Sequence, residues 1–208
     1  MISVYAIADA RRRESHGSAV ECVREGDLIA FFAPGRPGNP DVHLLRRHDA
    51  VVSSLMDEAS LLPMRFGSVV EDERELRALL RARRHEFAQA LARVRGRVEV
   101  GVRALWREPT GDTHSGGTAF MRAKPDRQRA ARRLADEIHP PLAELAAESV
   151  CRVGPTAEAA FAAAYLVERA HAGGLKQRAA RLRRECAAVD LVCTGPWPPY
   201  SFSGGADA

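Results

Sequence analysis

The chain has 208 residues, 46% of them hydrophobic and 28% charged, which is enough apolar material for one large core or two cores of roughly 100 residues each. The net charge is +4 and the pI is near 9.2, yet the basic residues, nearly all Arg, interleave with acids as in Glu71-Asp72-Glu73-Arg74-Glu75. That pattern makes a solvated surface rather than the unbroken basic stripe of a nucleic-acid binder. No apolar run approaches the ~18 residues of a membrane span, and Met1-Ile2-Ser3-Val4-Tyr5 lacks the basic start and long apolar stretch of a secretory signal. A cytoplasmic protein is expected.

Residues Ile2 to Ala8 alternate and predict a first strand. Ala19 to Val23 and Leu28 to Ala33 flank Arg24-Glu25-Gly26-Asp27 and predict a hairpin with a glycine-containing turn. The run Pro34-Gly35-Arg36-Pro37-Gly38-Asn39-Pro40 breaks regular structure, and Asn39 or Asp41 can cap the next helix. From Val42 to about Glu58, Leu44, Val51 and Leu55 recur at helical spacing, with Val52 and Met56 beside them. Leu61 to Val70 predicts a strand with Leu62, Met64 and Phe66 on one face. A helix then opens at Asp72 with Glu75 three residues on, as in a capping box. It carries Leu76, Leu79, Leu80, Phe87, Leu91 and Val94 on one side and stops at Gly96.

Val98, Val100, Val102, Ala104 and Trp106 alternate with Glu99, Gly101, Arg103 and Leu105, the period of a strand. Pro109 to Gly117 is a polar loop. Asp126 opens a helix through Leu134 and Ile138, interrupted at Pro140-Pro141 and continuing through Leu142 and Leu145. Ser149 to Val153 and Phe161 to Glu168 predict two more strands. Gly173-Gly174 precedes a helix with Leu175, Ala179, Leu182 and Cys186 on one face, and Val189 to Cys193 predicts the last strand. The expectation is an α+β protein of two domains. Residues 1–96 form a small antiparallel sheet with two helices, and residues 97–208 form a ferredoxin-like βαββαβ domain with a Pro/aromatic tail.

The chemistry-bearing residues are dispersed. Cys22, Cys151, Cys186 and Cys193 form no C-x-x-C pair, which supports neither a zinc site nor a disulfide framework; each sits among apolar neighbours as a small buried hydrophobe. His16, His43, His48, His85, His114, His139 and His171 show no i, i+4 pair around a Glu, and surface or helix-face positions are expected. There is no nucleophile elbow, P-loop or dinucleotide fingerprint. Thr113-His114-Ser115-Gly116-Gly117-Thr118 comes nearest to an anion loop, but it lacks the Lys and the strand-loop-helix setting, and reads as a linker. No catalytic, cofactor-binding or metal-binding residues are assigned, and no cofactor is expected.

Three segments together resemble the gas vesicle F/L family (GvpF/GvpL). Leu62-Pro63-Met64-Arg65-Phe66-Gly67-Ser68-Val69 is similar to the family's Pro-x-Arg-Phe-Gly-Thr block, with Ser68 where Thr is usual. Gly96-Arg97-Val98-Glu99-Val100-Gly101-Val102 is similar to its Gly-x-x-Glu-x-x-Val strand, and Thr194-Gly195-Pro196-Trp197-Pro198-Pro199-Tyr200-Ser201-Phe202 to its closing block. The resemblance spans nearly the whole chain. It implies a cytoplasmic, vesicle-associated accessory protein that helps build the protein-shelled gas vesicle. It also implies contacts with the shell protein and other accessory proteins, and neither a nucleic-acid nor a membrane partner.

Four residues are candidates for partner contact. Arg65 lies opposite Met64 and Phe66 on a strand and can meet a partner carboxylate or an acid of its own domain. Trp197, Tyr200 and Phe202 ride on a backbone stiffened by Pro196, Pro198 and Pro199. They either present rings to an apolar partner groove or fold back to seal the core, and with 12 aromatic residues in the chain the second is favoured. The expected function is a non-enzymatic adaptor for the aggregation-prone shell protein. The alternatives are an RNA-binding or a small-molecule-binding ferredoxin-like protein. The first needs aromatic residues on the middle strands, and Val98 to Arg103 and Ser149 to Val153 carry none.

Overall fold

A computed structural model describes residues 1–10, 20–107, 117–154 and 156–204, and side chains from 125 onward in the helix that begins at 117. Of the predicted Pro109–Gly117 loop, residues 109–116, including Thr113 to Gly116, lie outside the described residues. The chain divides into two compact units: Met1–Arg97 with the segment from Trp197 onward, and Val98–Pro196. The expected grouping of the closing aromatic segment with the second half gives way here.

The first unit is built on β1 (Ile2–Asp9), whose Val4, Ala6, Ile7 and Ala8 are all buried. With β2 (Glu21–Glu25), β3 (Leu28–Pro34), β4 (Leu61–Pro63) and β5 (Val69–Val70), the sheet order is β2-β3-β1-β4, with β5 also on β1, and every one of these pairs is antiparallel. β2 and β3 join through Gly26-Asp27. Gly26 sits at φ 61, which a two-residue hairpin turn demands and L side chains resist. In the β1–β3 register Val4 faces Phe32 and Ala6 faces Phe31, so Tyr5 is the extra residue of a bulge.

The predicted strand Leu61–Val70 is broken. β4 (Leu61–Pro63) and β5 (Val69–Val70) are separate strands, and between them Arg65 to Ser68 forms a turn closed by Ser68 N–H donating to Arg65 O at 3.0 Å. Gly67 at φ 95 takes the third position of that turn, where a type II geometry needs glycine. The alternation of Leu62, Met64 and Phe66 mimics a continuous strand; the glycine ends it.

Three helices pack on this sheet rather than the two expected. α1 (Val42–Glu58) is capped by Asp41, whose side chain accepts from Leu44 N–H. The helix opening at Asp72 divides at Arg83 into α2 (Glu73–Ala82) and α3 (Arg84–Val94). Arg83 leaves helical geometry at φ -105, ψ 18, yet its N–H still reaches Leu79 O and its carbonyl receives Phe87 N–H, both at 3.0 Å. The joint reorients α3 so that Phe87, Ala90, Leu91 and Val94 are buried along with Leu76 and Leu80 of α2.

The second unit runs β6 (Arg97–Trp106), α4 (Gly117–Ile138), α5 (Pro140–Ala143), β7 (Glu148–Val153), β8 (Ala159–Glu168), α6 (Ala172–Glu185) and β9 (Val189–Trp197). Its sheet has the order β7-β8-β6-β9. Val98, Val100, Val102 and Ala104 of β6 are fully buried, and each such valine contributes about 1.5–3 kcal/mol of burial. α4 starts at Gly117 rather than Asp126 and contains Pro125. Gly173 and Gly174 fall in the first turn of α6 rather than before it, and Leu145, expected to continue the interrupted helix, is 46% exposed. The four cysteines are free and half-buried, not the fully buried hydrophobes expected.

Candidate functional site

The site grows from the break after β4. Met64 N–H donates to Tyr5 O at 2.8 Å and Val4 N–H to Ser68 O at 2.9 Å, so the Arg65–Ser68 turn is tied to β1 at both ends. Met64 is buried, Phe66 half-buried and Arg65 exposed. α1 crosses beside this turn. His48, expected at a surface or on an open helix face, is 8% exposed, and its Nε2 lies 2.8 Å from Met64 O. Its ring lies 5.0 Å from that of Tyr5, the bulged residue, and meets the Phe66 ring edge-on at 5.8 Å. Burial pushes the His48 pKa below its ordinary value; the Met64 carbonyl and Asp49 pull weakly the other way.

The closing segment of the chain supplies the third wall. Phe202 N–H donates to Pro199 O at 3.1 Å and Ser203 Oγ to Tyr200 O at 3.0 Å, which winds residues 200–202 into a single tight turn. Phe202 is 1% exposed and anchors the turn, while Tyr200 is left half-buried. Together Leu45, Arg46, His48, Asp49, Arg65, Phe66 and Tyr200 line an open groove of about 310 Å3.

Of the four sequence-predicted contact residues, Arg65 and Tyr200 meet in this groove, Phe202 is buried beneath the same turn, and Trp197 is 42% exposed and outside the lining. Sequence reasoning misses Leu45, Arg46, His48, Asp49 and Phe66. Leu45 has a readable signal. It lies on the helical stripe that buries His48, Val52 and Met56 further along α1, yet it is 45% exposed, and Val42 one turn earlier is 60% exposed. Core-type positions left without cover give this end of α1 an apolar surface.

The groove's chemistry is that of a clamp. Leu45, Phe66 and the Tyr200 ring offer apolar area; the Arg46 and Arg65 guanidiniums suit a carboxylate; Asp49 suits a cation. Hydrolysis or transfer needs a nucleophile held against a base, and the one imidazole in the lining has its Nε2 bonded to a backbone carbonyl. In the second unit His139 Nδ1 pairs with the buried Tyr165 hydroxyl at 2.9 Å, and burial pushes the phenol pKa up. That is a satisfied core pair. Among the described residues no three His, Cys, Asp or Glu side chains gather as metal ligands, and no helix is long and apolar enough to cross a membrane.

Fold and groove together define a class: a two-unit α+β protein with a partly apolar, Arg-flanked groove on its first unit. The sequence matches the family described as gas vesicle synthesis protein GvpL/GvpF across residues 2–204, and the chain belongs to that family. It is 31% identical to gas vesicle protein L of Streptomyces sp. (strain CB03234), over 92% of this chain and 85% of that protein. It is 28% identical to gas vesicle protein F2 of Halobacterium salinarum (strain ATCC 700922 / JCM 11081 / NRC-1), over 74% of this chain and 65% of that one. In fold it is similar to the crystal structure of GvpF from Anabaena sp. PCC7120, with a TM-score of 0.77 at 18% identity over 97% of this chain and 95% of that one. The GvpF structure from Microcystis aeruginosa gives 0.76 at 15% identity, over 97% and 98%.

Proposed function

We propose that this protein is a non-enzymatic assembly factor of the gas vesicle that works in the cytoplasm, where it holds the shell protein before incorporation and contacts other accessory proteins. Family membership supports the setting. The observation that carries the mode of action is the uncovered stripe of α1, where Val42 and Leu45 lead into the groove of Phe66 and Tyr200 between Arg46 and Arg65. A shell subunit exposes apolar surface until it is assembled, and a surface of this kind covers it while the two cations select for a nearby carboxylate. The second unit is read as ferredoxin-like; the element order β6-α4-β7-β8-α6-β9 and the strand order β7-β8-β6-β9 support that reading.

The test is co-expression with a tagged shell protein, followed by capture of this chain. The wild-type chain and a Val192→Asp control, altered at an exposed apolar residue of the second unit, are expected to co-purify. Leu45→Asp should lose most of the capture. Equal capture of Leu45→Asp and wild type, or no capture of the wild type at all, would remove the groove from this role.

A further inference from the structure

We propose that the solvent face of α6 is a second docking surface, separate from the groove of the first unit, and that it takes an acidic segment of a partner protein. Ala172, Leu175, Ala179 and Leu182 bury one side of α6. The other side carries Lys176, Arg178, Arg181, Arg183 and Arg184 against one acid, Glu185 in the last turn.

Four neighbouring arginines of the first unit are each held by an acid. Arg77 pairs with Glu73 at 3.5 Å, Arg81 with Glu25 at 3.0 Å, Arg83 with Glu86 at 2.8 Å and Arg84 with Asp27. On α6 Arg183 meets Asp190 at 3.3 Å and Lys176 donates to the Gly195 carbonyl. Arg178, Arg181 and Arg184 have no acidic partner among the described residues. They follow one another at steps of three, so each repels the next across a helical turn. Three guanidiniums thus stand in register on one helix face, and a partner's carboxylates relieve that repulsion.

The face also continues into a built concavity. Arg107, Arg183 and Arg184 line a groove of about 470 Å3 at the end of α6, with Ala180 and Ala187 in the same lining. Asp190 holds Arg107 at 3.1 Å and Arg183 at 3.3 Å, and Arg107 also donates to Ala187 O at 3.2 Å. Two of the three guanidiniums are thereby positioned in advance. Guanidinium forks match carboxylates two bonds at a time, and α6 is about 21 Å long, the span of an acidic helix of equal length. The solvent face of α6 holds no aromatic side chain on which a base can stack. That favours an acidic protein segment over a nucleic acid.

The experiment titrates the full chain with a labelled Glu/Ala peptide about as long as α6, and in parallel with a labelled oligo-dT. Binding of the peptide should weaken with added salt and fall about tenfold when Arg178, Arg181 and Arg184 are all changed to Ala. A variant with Arg47, Arg74 and Arg132 changed to Ala has the same net charge and should bind within about twofold of wild type. Because Ala favours helix and all the altered side chains but the half-buried Arg178 are exposed, both variants should keep the wild-type circular dichroism; Arg→Gln at the same positions replaces the first if it does not. Equal weakening in both variants means bulk charge only and overturns the proposal. So does tighter binding of oligo-dT than of the peptide, or no peptide binding.

Discussion

The imidazole of His48 lies with its Nε2 2.8 Å from the carbonyl oxygen of Met64. A carbonyl only accepts, so Nε2 carries the proton, and the buried ring is the neutral Nε2–H tautomer. Burial lowers its pKa from the ordinary 6.5. Linkage then sets the sign: in acid the unfolded chain takes up this proton more readily than the folded one. Stability is therefore complete above about 6.5 and is lost as pH falls from there toward the folded value. His139, lowered by burial as well, acts in the same direction. In His48→Gln the amide can still donate to Met64 O but does not titrate. Urea unfolding between about pH 5 and 6.5 should show a shallower loss of stability for this variant than for wild type. A parallel pair of curves would mean that His48 does not report on acid in the folded protein.

The closing aromatic residues should separate sharply in their energetic roles. Phe202 is 1% exposed and Trp197 is 42% exposed. Phe202→Ala empties a fully packed position and should cost about 3–5 kcal/mol, whereas Trp197→Ala should fall near or below about 1 kcal/mol. Denaturant midpoints at unchanged slope measure both. Phe202→Ala should also weaken anything bound in the groove, because it anchors the turn that carries Tyr200.

At the start of α2, Asp72 Oδ1 accepts from Glu75 N–H at 2.8 Å while Glu75 Oε2 accepts from Glu71 N–H at 2.6 Å. The return bond reaches one residue further back than in the usual capping box, yet the logic of reciprocal satisfaction is the same. Asp72→Ala should cost about 1 kcal/mol. Asp72→Asn, which keeps the acceptor, should recover most of it in the same thermal melts.

The elements legible in the sequence are those whose local pattern and tertiary role coincide. Val98 to Ala104 alternate because one face of β6 is buried, and α1 runs over the span its periodicity predicts, capped by one of the two residues named for it. The buried line of α1 is less readable. It passes through His48, Val52, Leu55 and Met56, and a histidine on it carries no hydrophobic signal. The division at Arg83 is hidden because Leu76, Leu80, Phe87 and Leu91 keep a helical rhythm across it. The groove is harder still, since α1, the turn after β4 and the Tyr200 turn are joined only by folding. Arg65 and Tyr200 stand out as residue types, but their neighbours Arg46 and Asp49 look like any solvated helix face. The grouping of the final aromatic segment with the first unit is a long-range choice that no local pattern records.

Gly67 links conformation to the groove and gives the last prediction. It sits at φ 95, and a Cβ added there meets nothing within 4 Å. Any penalty for Gly67→Ala is therefore conformational rather than steric, and should be about 1–2 kcal/mol. The strain falls on the turn whose first two residues, Arg65 and Phe66, line the groove, so the substitution should act on binding as well as on stability. Gly35 has the same φ of 95 and equally open space around an added Cβ, but it lies outside the groove lining. Gly35→Ala should then match Gly67→Ala in denaturant midpoint while leaving capture of the groove's partner intact. If the two variants lose capture equally, the Arg65–Ser68 turn is not what positions the groove, and the loss reports global stability alone.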